Sequence, residues 1–321
     1  MRQDAAAGDG MKALFQRVAL LGVGMVGGSL GRSMLARGIA GEVIGYDHDP
    51  GVLRRALALG AVTGAAETVA SAVRGCELVI LAAPVLAAQE LLAEAAPHLV
   101  PGCIVTDVCS TKAEIAERAA KVLPPAVSFV GGHPMAGSEK QGVEALAENL
   151  FENAVYVLCG GEEAARAKVK ALVRGLGALP VEMSPERHDY VVAAVSHLPH
   201  LAAVALTNTV AGLQEAEEFL ALAAGGFRDT TRIAMGSPQV WLEICLSNRK
   251  QLLLMLEKLA QEVDAVHKLL KAKDAEGLLS YFRAAGEFRR KVPVGGKGMA
   301  ECRRAAEVLA AANYRVEVQE G

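Results

Sequence analysis

The residues best suited to chemistry lie in the segment GGHPMAGSE, residues 131–139, where a histidine stands between glycine-rich flanks. The apolar run before it, residues 127–130, predicts a strand, so we expect His133 just beyond a strand end in a glycine-rich turn. Residues 138–141 fit a helix capping box. Ligands bind at the carboxyl ends of strands in open parallel sheets, and imidazole titrates near working pH. The pattern favours proton transfer by His133; the alternative is a turn histidine that hydrogen-bonds its own loop.

Polar residues also follow a second predicted strand, residues 103–107. Because parallel strands end at the same rim of a sheet, Ser110 and Lys112 are expected near His133. The alternative is structural, since residues 111–114 fit a capping box and Ser110 could supply a second capping hydroxyl.

A later apolar helix carries polar residues around a proline, in the segment SHLPH. Pro199 removes one helical hydrogen bond and predicts a kink. Ser196 and His200 are four positions apart and share a face, which is unusual for a simple core. Buried polar groups need partners, and a polar substrate could supply them. His197 lies off that face and is expected only to hold the backbone.

Two arginines follow in the segment GGFRDTTR. Arg228 or Arg232 could bind a carboxylate through two parallel hydrogen bonds. The alternative is that both pair with Asp229 or with surface glutamates, as most charged helix residues do.

A glycine-rich turn near the start of the chain predicts a dinucleotide site. Residues 17–21 form a buried-strand pattern that leads directly into GVGMVGG. Gly22 permits the tight turn, Gly24 lets a pyrophosphate approach the backbone, and Gly27 lets the next helix pack closely. The N-terminus of that helix, at Met25 and Val26, offers N–H groups to the phosphates.

An acidic residue strengthens this prediction. Asp47 ends the second predicted strand, about 20 residues after the last motif glycine, where a carboxylate accepts hydrogen bonds from ribose hydroxyls. A carboxylate repels a 2′-phosphate, so NAD is favoured over NADP, although His48 and Arg54 leave dual use open. The alternative is a turn residue in the segment DHDP. Ala83 and Pro84, after a third core strand, would form a flat wall beside the adenosine.

Strands and helices alternate through the first half of the chain and predict an α/β Rossmann-type doubly wound parallel sheet. We assign residues 1–15 to a leader and 16–183 to an NAD-binding domain. From residue 184 no strand pattern appears, which predicts an all-α helical domain over 184–291. The tail, 292–321, is glycine-rich and then helical, and we assign it no function.

Composition narrows the class of protein. The 321 residues suit two domains, and 52% hydrophobic residues suffice for their cores. A net charge of -3 without a basic block argues against nucleic acid. No apolar run approaches the ~18 residues that a membrane helix needs, and no signal segment is apparent. Six scattered cysteines without a CxxC pair indicate reduced thiols in a cytoplasmic protein and no metal site.

An apolar stripe follows Pro238 and predicts one long helix that could form a subunit interface. Its residues are Trp241, Cys245, Asn248, Leu252, Met255, Leu259, Val263, Val266 and Leu270. The stripe is too long for one small partner helix to cover, which favours a homodimer through the helical domain.

The glycine-rich turn, GGHPMAGSE, SHLPH and GGFRDTTRIA occur in this order at compatible spacing. Over about residues 16–290 the set resembles the prephenate dehydrogenase family, also called arogenate or cyclohexadienyl dehydrogenases. The resemblance implies NAD-dependent oxidative decarboxylation of prephenate to 4-hydroxyphenylpyruvate on the route to tyrosine. It also implies a Rossmann domain joined to a helical dimerisation domain.

The resemblance implies roles for single residues. His133 would take the proton of the ring 4-hydroxyl as hydride leaves ring C4, Ser110 would support it, and Arg232 would hold the ring carboxylate. The other matched positions, near the substrate side chain, the entrance and the second domain's side of the site, are Ser196, His200, Glu139, Asp229 and Trp241. Lys112 completes the expected substrate-binding set.

Three alternatives remain open at this point. Prephenate and arogenate differ only in a keto or amino group, and no residue visibly supplies a counter-charge for the ammonium. A β-hydroxyacid dehydrogenase shares the domain plan but needs a catalytic lysine, which the helix from residue 185 lacks. An NAD-binding regulatory protein without chemistry predicts a missing histidine or arginine, and both are present.

Overall fold

The computed structural model describes residues 13–136, 142–292, 299–312 and 314–316. Within these residues the chain forms a nine-stranded sheet with helices on its faces and a helical domain. The strands in chain order are β1 (Phe15–Leu21), β2 (Ala40–Tyr46), β3 (Gly64–Ala65), β4 (Leu78–Leu81), β5 (Ile104–Asp107), β6 (Ser128–Pro134), β7 (Val155–Cys159), β8 (Leu179–Met183) and β9 (Arg315–Val316). The predicted Rossmann-type fold with a helical second part is confirmed.

Strands β1 to β6 are parallel and follow the doubly wound order β3-β2-β1-β4-β5-β6. Beyond β6 the sheet is mixed, because β7 is antiparallel to β6 and β9 is antiparallel to β8. The described residues between β6 and β7 contain only a 3₁₀ turn, Val143–Ala145, instead of the crossover helix that a parallel neighbour needs. The prediction of a parallel sheet therefore fails at this edge.

Strand β6 is longer than predicted, and this changes the setting of His133. The strand runs through the two glycines to Pro134, and His133 pairs with Val157 of β7. A Cβ on Gly132 would lie 2.5 Å from the Asp107 carbonyl oxygen. The glycines therefore serve close strand packing rather than a turn. The expectation that His133 lies in a turn beyond the strand end is wrong.

The helices of the first domain cover both faces of the sheet. They are α1 (Met25–Ala36), α2 (Pro50–Ala58), α3 (Val69–Val73), α4 (Val85–Ala95), α5 (Ala113–Val122) and α6 (Glu163–Gly175). Along β1 the side chains alternate, with Val18 and Leu20 in one apolar cluster and Ala19 and Leu21 in the other. Because both faces of the sheet are buried, the sequences of the central strands are unbroken apolar runs.

The second domain is helical. Its elements are α7 (Pro185–Val192), a π-helical turn (Ala193–His197), α8 (Leu198–Ala211), α9 (Ala216–Leu222), α10 (Gly225–Thr231), α11 (Pro238–Ser247), α12 (Arg249–Ala272) and α13 (Ala275–Arg289). The Ser184 hydroxyl caps α7 by accepting from the Arg187 N–H at 3.2 Å. The π turn ends just before Pro199, so the helix widens where the proline cannot donate a hydrogen bond.

The long helix predicted after Pro238 is two helices. The break lies at Asn248, with φ -113° and ψ 25°, where the buried side chain Nδ2 donates to the Asp189 carbonyl oxygen at 2.8 Å. A tertiary hydrogen bond therefore ends α11, and the apolar stripe carried no sign of it. Farther along α12, Val263 is 62% exposed and Leu270 is 59% exposed.

The tail returns to the first domain. A further helix, α14 (Met299–Ala311), leads to β9, which pairs with β8, and Ala306 joins Leu179 and Val181 in a small buried cluster. The tail was predicted to be helical without a strand. A two-residue strand is too short to give a sequence pattern, so only pairing with β8 defines it.

One continuous helix of the described residues, Pro185–Ala211, is long and apolar enough to cross a membrane, with a mean hydropathy of 1.5 in its most apolar window. The prediction that no segment approaches that length is wrong by this measure, because the few polar residues do not lower the mean enough. The core helix of a soluble protein passes the same test. In this protein 28% of that window is buried. Near the start of the helix, Asp189 is buried and accepts from backbone N–H groups of the first domain.

Candidate active site

The glycine-rich turn has the geometry of a pyrophosphate cradle. Gly22 has φ +97°, and a Cβ there would lie 2.7 Å from the Ala82 carbonyl oxygen. A Cβ on Gly27 would lie 2.2 Å from the Gly22 carbonyl oxygen, so neither position accepts a side chain. A Cβ on Gly24 meets nothing within 4 Å, and no side chain caps α1 at this residue. The turn therefore leaves open space beside the N-terminus of α1, where Met25 and Val26 are half-buried in the first turn.

Asp47 is held firmly at the end of β2. Its Oδ2 accepts from the Val23 N–H and its Oδ1 from the Asp49 N–H, both at 3.0 Å. These bonds orient the carboxylate beside the glycine-rich turn, where a ribose would lie. The His48 side chain at the same edge is 94% exposed. The structure thus places Asp47 and the motif glycines together.

The turn after β4 forms the other wall of this cradle. The Ala82 N–H donates to the Leu21 carbonyl oxygen at 2.7 Å, which binds the turn to β1. Ala83 is half-buried and Pro84 is exposed, just before α4 begins. The Ala83 backbone nitrogen lies 3.0 Å from the position of a Cβ on Gly22, so this residue is next to the glycine-rich turn. That Ala83 and Pro84 line the adenosine stays a prediction.

A chain of three polar side chains begins at His133. Its Nδ1 lies 2.7 Å from Nε2 of His188, and Nδ1 of His188 lies 2.8 Å from Oδ1 of Asp189. The Asp189 carboxylate also accepts from the backbone N–H groups of Lys112 at 2.7 Å and Ala113 at 2.9 Å. The first residues of α7 are thereby fixed against the start of α5. His188 and Asp189 are buried, whereas His133 is half-buried.

This chain sets the tautomers of both histidines. A carboxylate cannot donate, so Nδ1 of His188 carries the proton and a neutral His188 accepts at Nε2. His133 must then donate from Nδ1, which leaves the lone pair on its Nε2. The arrangement makes His133 a proton acceptor with a defined orientation.

Burial keeps both imidazoles neutral. It lowers the pKa of His133 well below its ordinary value, and the neighbouring His188, Lys112 and His197 act in the same direction. Burial also lowers the pKa of His188, although the hydrogen bond to Asp189 opposes this. At neutral pH His133 therefore has the protonation state that accepts a proton.

Lys112 has a different place from the one predicted. Its side chain is 0% exposed, and its ammonium pairs with the equally buried Asp107. The Asp107 carboxylate also accepts from the Gly132 N–H at 2.9 Å and the Cys109 N–H at 3.1 Å. The expectation that Lys112 binds substrate is therefore corrected. The pair joins the end of β5 to the strand that carries His133.

The start of α5 is capped from the other domain. No side-chain hydrogen bond caps α5 at Lys112, and the Thr111 hydroxyl instead lies 2.9 Å from the Ser247 hydroxyl. The capping-box alternative for residues 111–114 is therefore wrong, because Asp189 binds these N–H groups. Ser110, next to this junction, is half-buried.

The helical domain contributes a stacked pair. The rings of His200 and Trp241 are 3.4 Å apart and 9° from parallel. Nδ1 of His200 is buried and has no hydrogen-bond partner among the described residues, so a polar ligand could satisfy it. Ser196 is half-buried in the π-helical turn. His197 is buried, and its Nδ1 lies 3.2 Å from Nδ2 of Asn248, so its contact is with a side chain rather than with the backbone that the sequence suggested.

The other predicted residues are less enclosed. Arg232 is exposed at the start of a 3₁₀ turn, Arg232–Met235, and Asp229 is exposed on α10. Glu139 and the capping box at 138–141 lie outside the described residues.

Sequence reasoning missed His188 and Asp189. A signal was available, because a His-Asp pair in the first turns of a capped helix is a candidate for a hydrogen-bonded relay. Their relation to His133 could not be inferred, since 55 positions separate the two histidines.

The glycine-rich cradle, the ribose carboxylate and the histidine relay at the same rim, joined to a helical domain, define a two-domain nucleotide-dependent dehydrogenase. Residues 30–181 match the family model of the prephenate dehydrogenase nucleotide-binding domain. Residues 184–284 match the model of the prephenate dehydrogenase dimerization domain. The chain belongs to the prephenate dehydrogenase family.

Similar proteins agree with this assignment. Prephenate dehydrogenase of Bacillus subtilis is 38% identical over 90% of this chain and 79% of its own length. Prephenate dehydrogenase of Lactococcus lactis is 33% identical over 87% of this chain and 78% of its own length. The crystal structure of prephenate dehydrogenase from Aquifex aeolicus with hydroxyphenyl propionate and NAD+ superimposes with a TM-score of 0.82 at 31% identity, covering 87% of this chain and 98% of that one.

Proposed function

We propose that this protein is an NAD-dependent prephenate dehydrogenase that oxidatively decarboxylates prephenate to 4-hydroxyphenylpyruvate in tyrosine biosynthesis. The observation that carries the proposal is the His133–His188–Asp189 chain beside the glycine-rich nucleotide turn. Family membership supplies the substrate class. When bound, NAD supplies the hydride acceptor for ring C4.

The side chains of this protein then have defined tasks. His133 accepts the 4-hydroxyl proton at Nε2, and the charge that develops on it is stabilised through His188 by Asp189. Ser110 supports the hydroxyl. Arg232 holds the ring carboxylate, while Ser196 and His200 bind the substrate side chain.

The direct test is the formation of NADH by purified protein with NAD and either prephenate or arogenate. We expect turnover with prephenate and weaker turnover with arogenate. The alternative is an arogenate dehydrogenase that forms tyrosine, and the ratio of the two kcat/KM values decides between them. Absence of turnover with both substrates in a protein that binds NAD would refute the dehydrogenase assignment. NADP in place of NAD measures how strictly Asp47 excludes a 2′-phosphate.

The pH profile should reflect the buried setting of His133. Its neutral form is the proton acceptor, and burial lowers its pKa, so activity requires a pH above that lowered pKa. We expect kcat/KM to be constant from neutral pH to about pH 9 and to fall with a slope of one only below the ordinary histidine pKa of about 6.5. Circular dichroism at each pH separates loss of activity from unfolding. A fall in kcat/KM centred above about pH 6.5 would contradict a neutral His133 as the proton acceptor.

Arg232 should contribute mainly to substrate affinity. Replacing Arg232→Gln removes a charge-assisted bidentate contact worth about 1.5–3 kcal/mol, so KM for prephenate should rise about 10- to 150-fold with little change in kcat. Arg228→Gln is the matched control, since Arg228 is also exposed on the same segment and should leave KM unchanged. Equal effects of the two substitutions in steady-state kinetics would argue for a general electrostatic role instead.

We propose that the protein forms a homodimer through its helical domain. We also propose that it is cytoplasmic. Large apolar side chains on α12 and α13 are exposed in the single chain, among them Val263, Leu270, Phe282 and Phe288. An apolar surface of this kind usually marks an interface. Sedimentation equilibrium at micromolar concentration should give twice the 33.5 kDa chain mass, and a monomer would contradict the proposal.

A further inference from the structure

A second carboxylate of the helical domain reaches the nucleotide-binding domain. Glu243 on α11 is buried, and its Oε2 accepts from the Leu86 N–H at 3.0 Å. Leu86 lies in the first turn of α4, where the cap residue Pro84 makes no side-chain hydrogen bond. Glu243 therefore caps a helix of the other domain, as Asp189 caps α5. A carboxylate at a helix N-terminus is favoured by its unpaired N–H groups and dipole.

The capped helix is continuous with the cofactor cradle. The turn before α4 contains Ala82. A Cβ on Gly22 would lie 2.7 Å from the Ala82 carbonyl oxygen, and a Cβ on Gly27 would lie 3.0 Å from the Ala82 Cβ, so Ala82 leaves no room for a side chain at either glycine. Cys109, after β5, contacts the same turn through its Sγ, 3.7 Å from the Ala83 carbonyl oxygen. A shift of α4 would therefore displace the wall against which the glycine-rich turn packs.

The same helix also contacts a residue that is proposed to bind the substrate side chain, His200. Trp241, two positions before Glu243 on α11, stacks on His200. The single helix α11 thus contacts the start of α4 through Glu243 and the proposed substrate-binding residue His200 through Trp241. Ser247, one turn later, is tied to Thr111 of the first domain, which fixes the helix against the rim.

We propose that Glu243 is a positioning residue that couples the dinucleotide site to the substrate pocket through α11. It holds the turn Ala82–Pro84 in place for the cofactor, and cofactor binding is transmitted to Trp241 and His200. The proposal rests on the proposed function for the identity of the cofactor. Nothing in the proposed chemistry requires Glu243 to touch the reacting atoms.

The test compares NAD binding by calorimetry in the full-length wild type, Glu243→Ala and Glu243→Gln. Loss of the cap leaves the Leu86 N–H unsatisfied, so Glu243→Ala should raise Kd for NAD about 5- to 30-fold. Glu243→Gln keeps an acceptor oxygen and should recover most of the affinity. Glu257→Ala, an exposed glutamate on α12, is the matched control and should bind as the wild type does.

A second readout follows the coupling itself. Trp241 is the single tryptophan of the chain, so its fluorescence reports on α11 without labelling. We expect NAD to change this fluorescence in the wild type and to change it much less, at saturation, in Glu243→Ala. Prephenate should also bind more tightly in the presence of NAD, and this gain should shrink in the variant.

The outcomes separate the two proposals. A wild type that binds no NAD overturns the proposed function and this inference together. A wild type that binds NAD, with a Glu243→Ala variant of equal Kd and equal Trp241 response, overturns the inference alone. A lower Tm with unchanged Kd also overturns it, since that result shows a purely structural contact. If Glu243→Ala does not fold, the same comparison is made with Glu243→Met, which keeps the length of the side chain but has no oxygen to accept from the Leu86 N–H. A wild-type Kd and a wild-type Trp241 response in that variant count against coupling.

Discussion

Replacement of His133→Asn is expected to lower kcat about 10²- to 10⁴-fold, the usual contribution of a positioned general base. Asparagine can still donate toward His188, but it has no lone pair of comparable basicity to accept the hydroxyl proton. NAD affinity should be unchanged, because the glycine-rich turn and Asp47 follow other strands, β1 and β2. Single-turnover absorbance of NADH measures the chemical step directly.

The control for this substitution is His98→Asn. His98 is exposed in the 3₁₀ turn Ala96–His98, before β5 begins and thus at the opposite end of the sheet. It should leave kcat and KM as in the wild type. If His133→Asn retains more than about a tenth of wild-type kcat, proton acceptance by this residue is excluded as a major source of catalysis.

Replacement of Lys112→Met should destabilise the protein by about 3–5 kcal/mol, the cost of leaving a buried charge without its partner. Asp107 would remain fully buried, with only the Gly132 and Cys109 N–H groups to stabilise its carboxylate. The end of β5 and the middle of β6 meet at this carboxylate, so activity should fall as well. Urea unfolding monitored by circular dichroism gives the free energy of unfolding.

Lys121→Met provides the matched comparison. Lys121 is on α5 and pairs with Glu117 in an exposed i,i+4 ion pair, with side chains 64% and 68% exposed. Such pairs contribute about 0.3–0.5 kcal/mol, so the loss should be within that range. A Lys112→Met variant as stable as Lys121→Met would show that the buried Lys112–Asp107 pair contributes no more to stability than an exposed ion pair.

The order of elements in the first domain could be predicted because each signal is local. The strand, the glycines and Asp47 follow one another within about thirty residues. Each glycine stands where backbone sterics exclude a side chain or where a phosphate approaches the backbone. The helix start at Ser184 is equally local, since its capping bond joins residues three positions apart. The types of neighbouring residues determine short-range geometry of this kind.

The edge of the sheet could not be predicted in the same way. Gly131 and Gly132 fit a turn as well as a strand in the sequence, and the pairing with β7 decides between the two. The break at Asn248 likewise depends on a hydrogen bond to Asp189, 59 positions away. In both cases the residues are compatible with two local conformations, and contacts with distant segments determine which one forms.

The sequence by itself determined that the protein has a dinucleotide fold, a helical second part and a histidine at the rim, because periodicity, glycine sterics and motif spacing are properties of contiguous residues. Tertiary structure alone decided what that histidine is bonded to. His188 and Asp189 orient it, and burial keeps it neutral. Lys112 is buried in an ion pair, and Glu243 and Asp189 cap helices of the other domain. These outcomes depend on burial and on hydrogen-bond partners from remote segments, which determine the protonation state and the direction of each polar group.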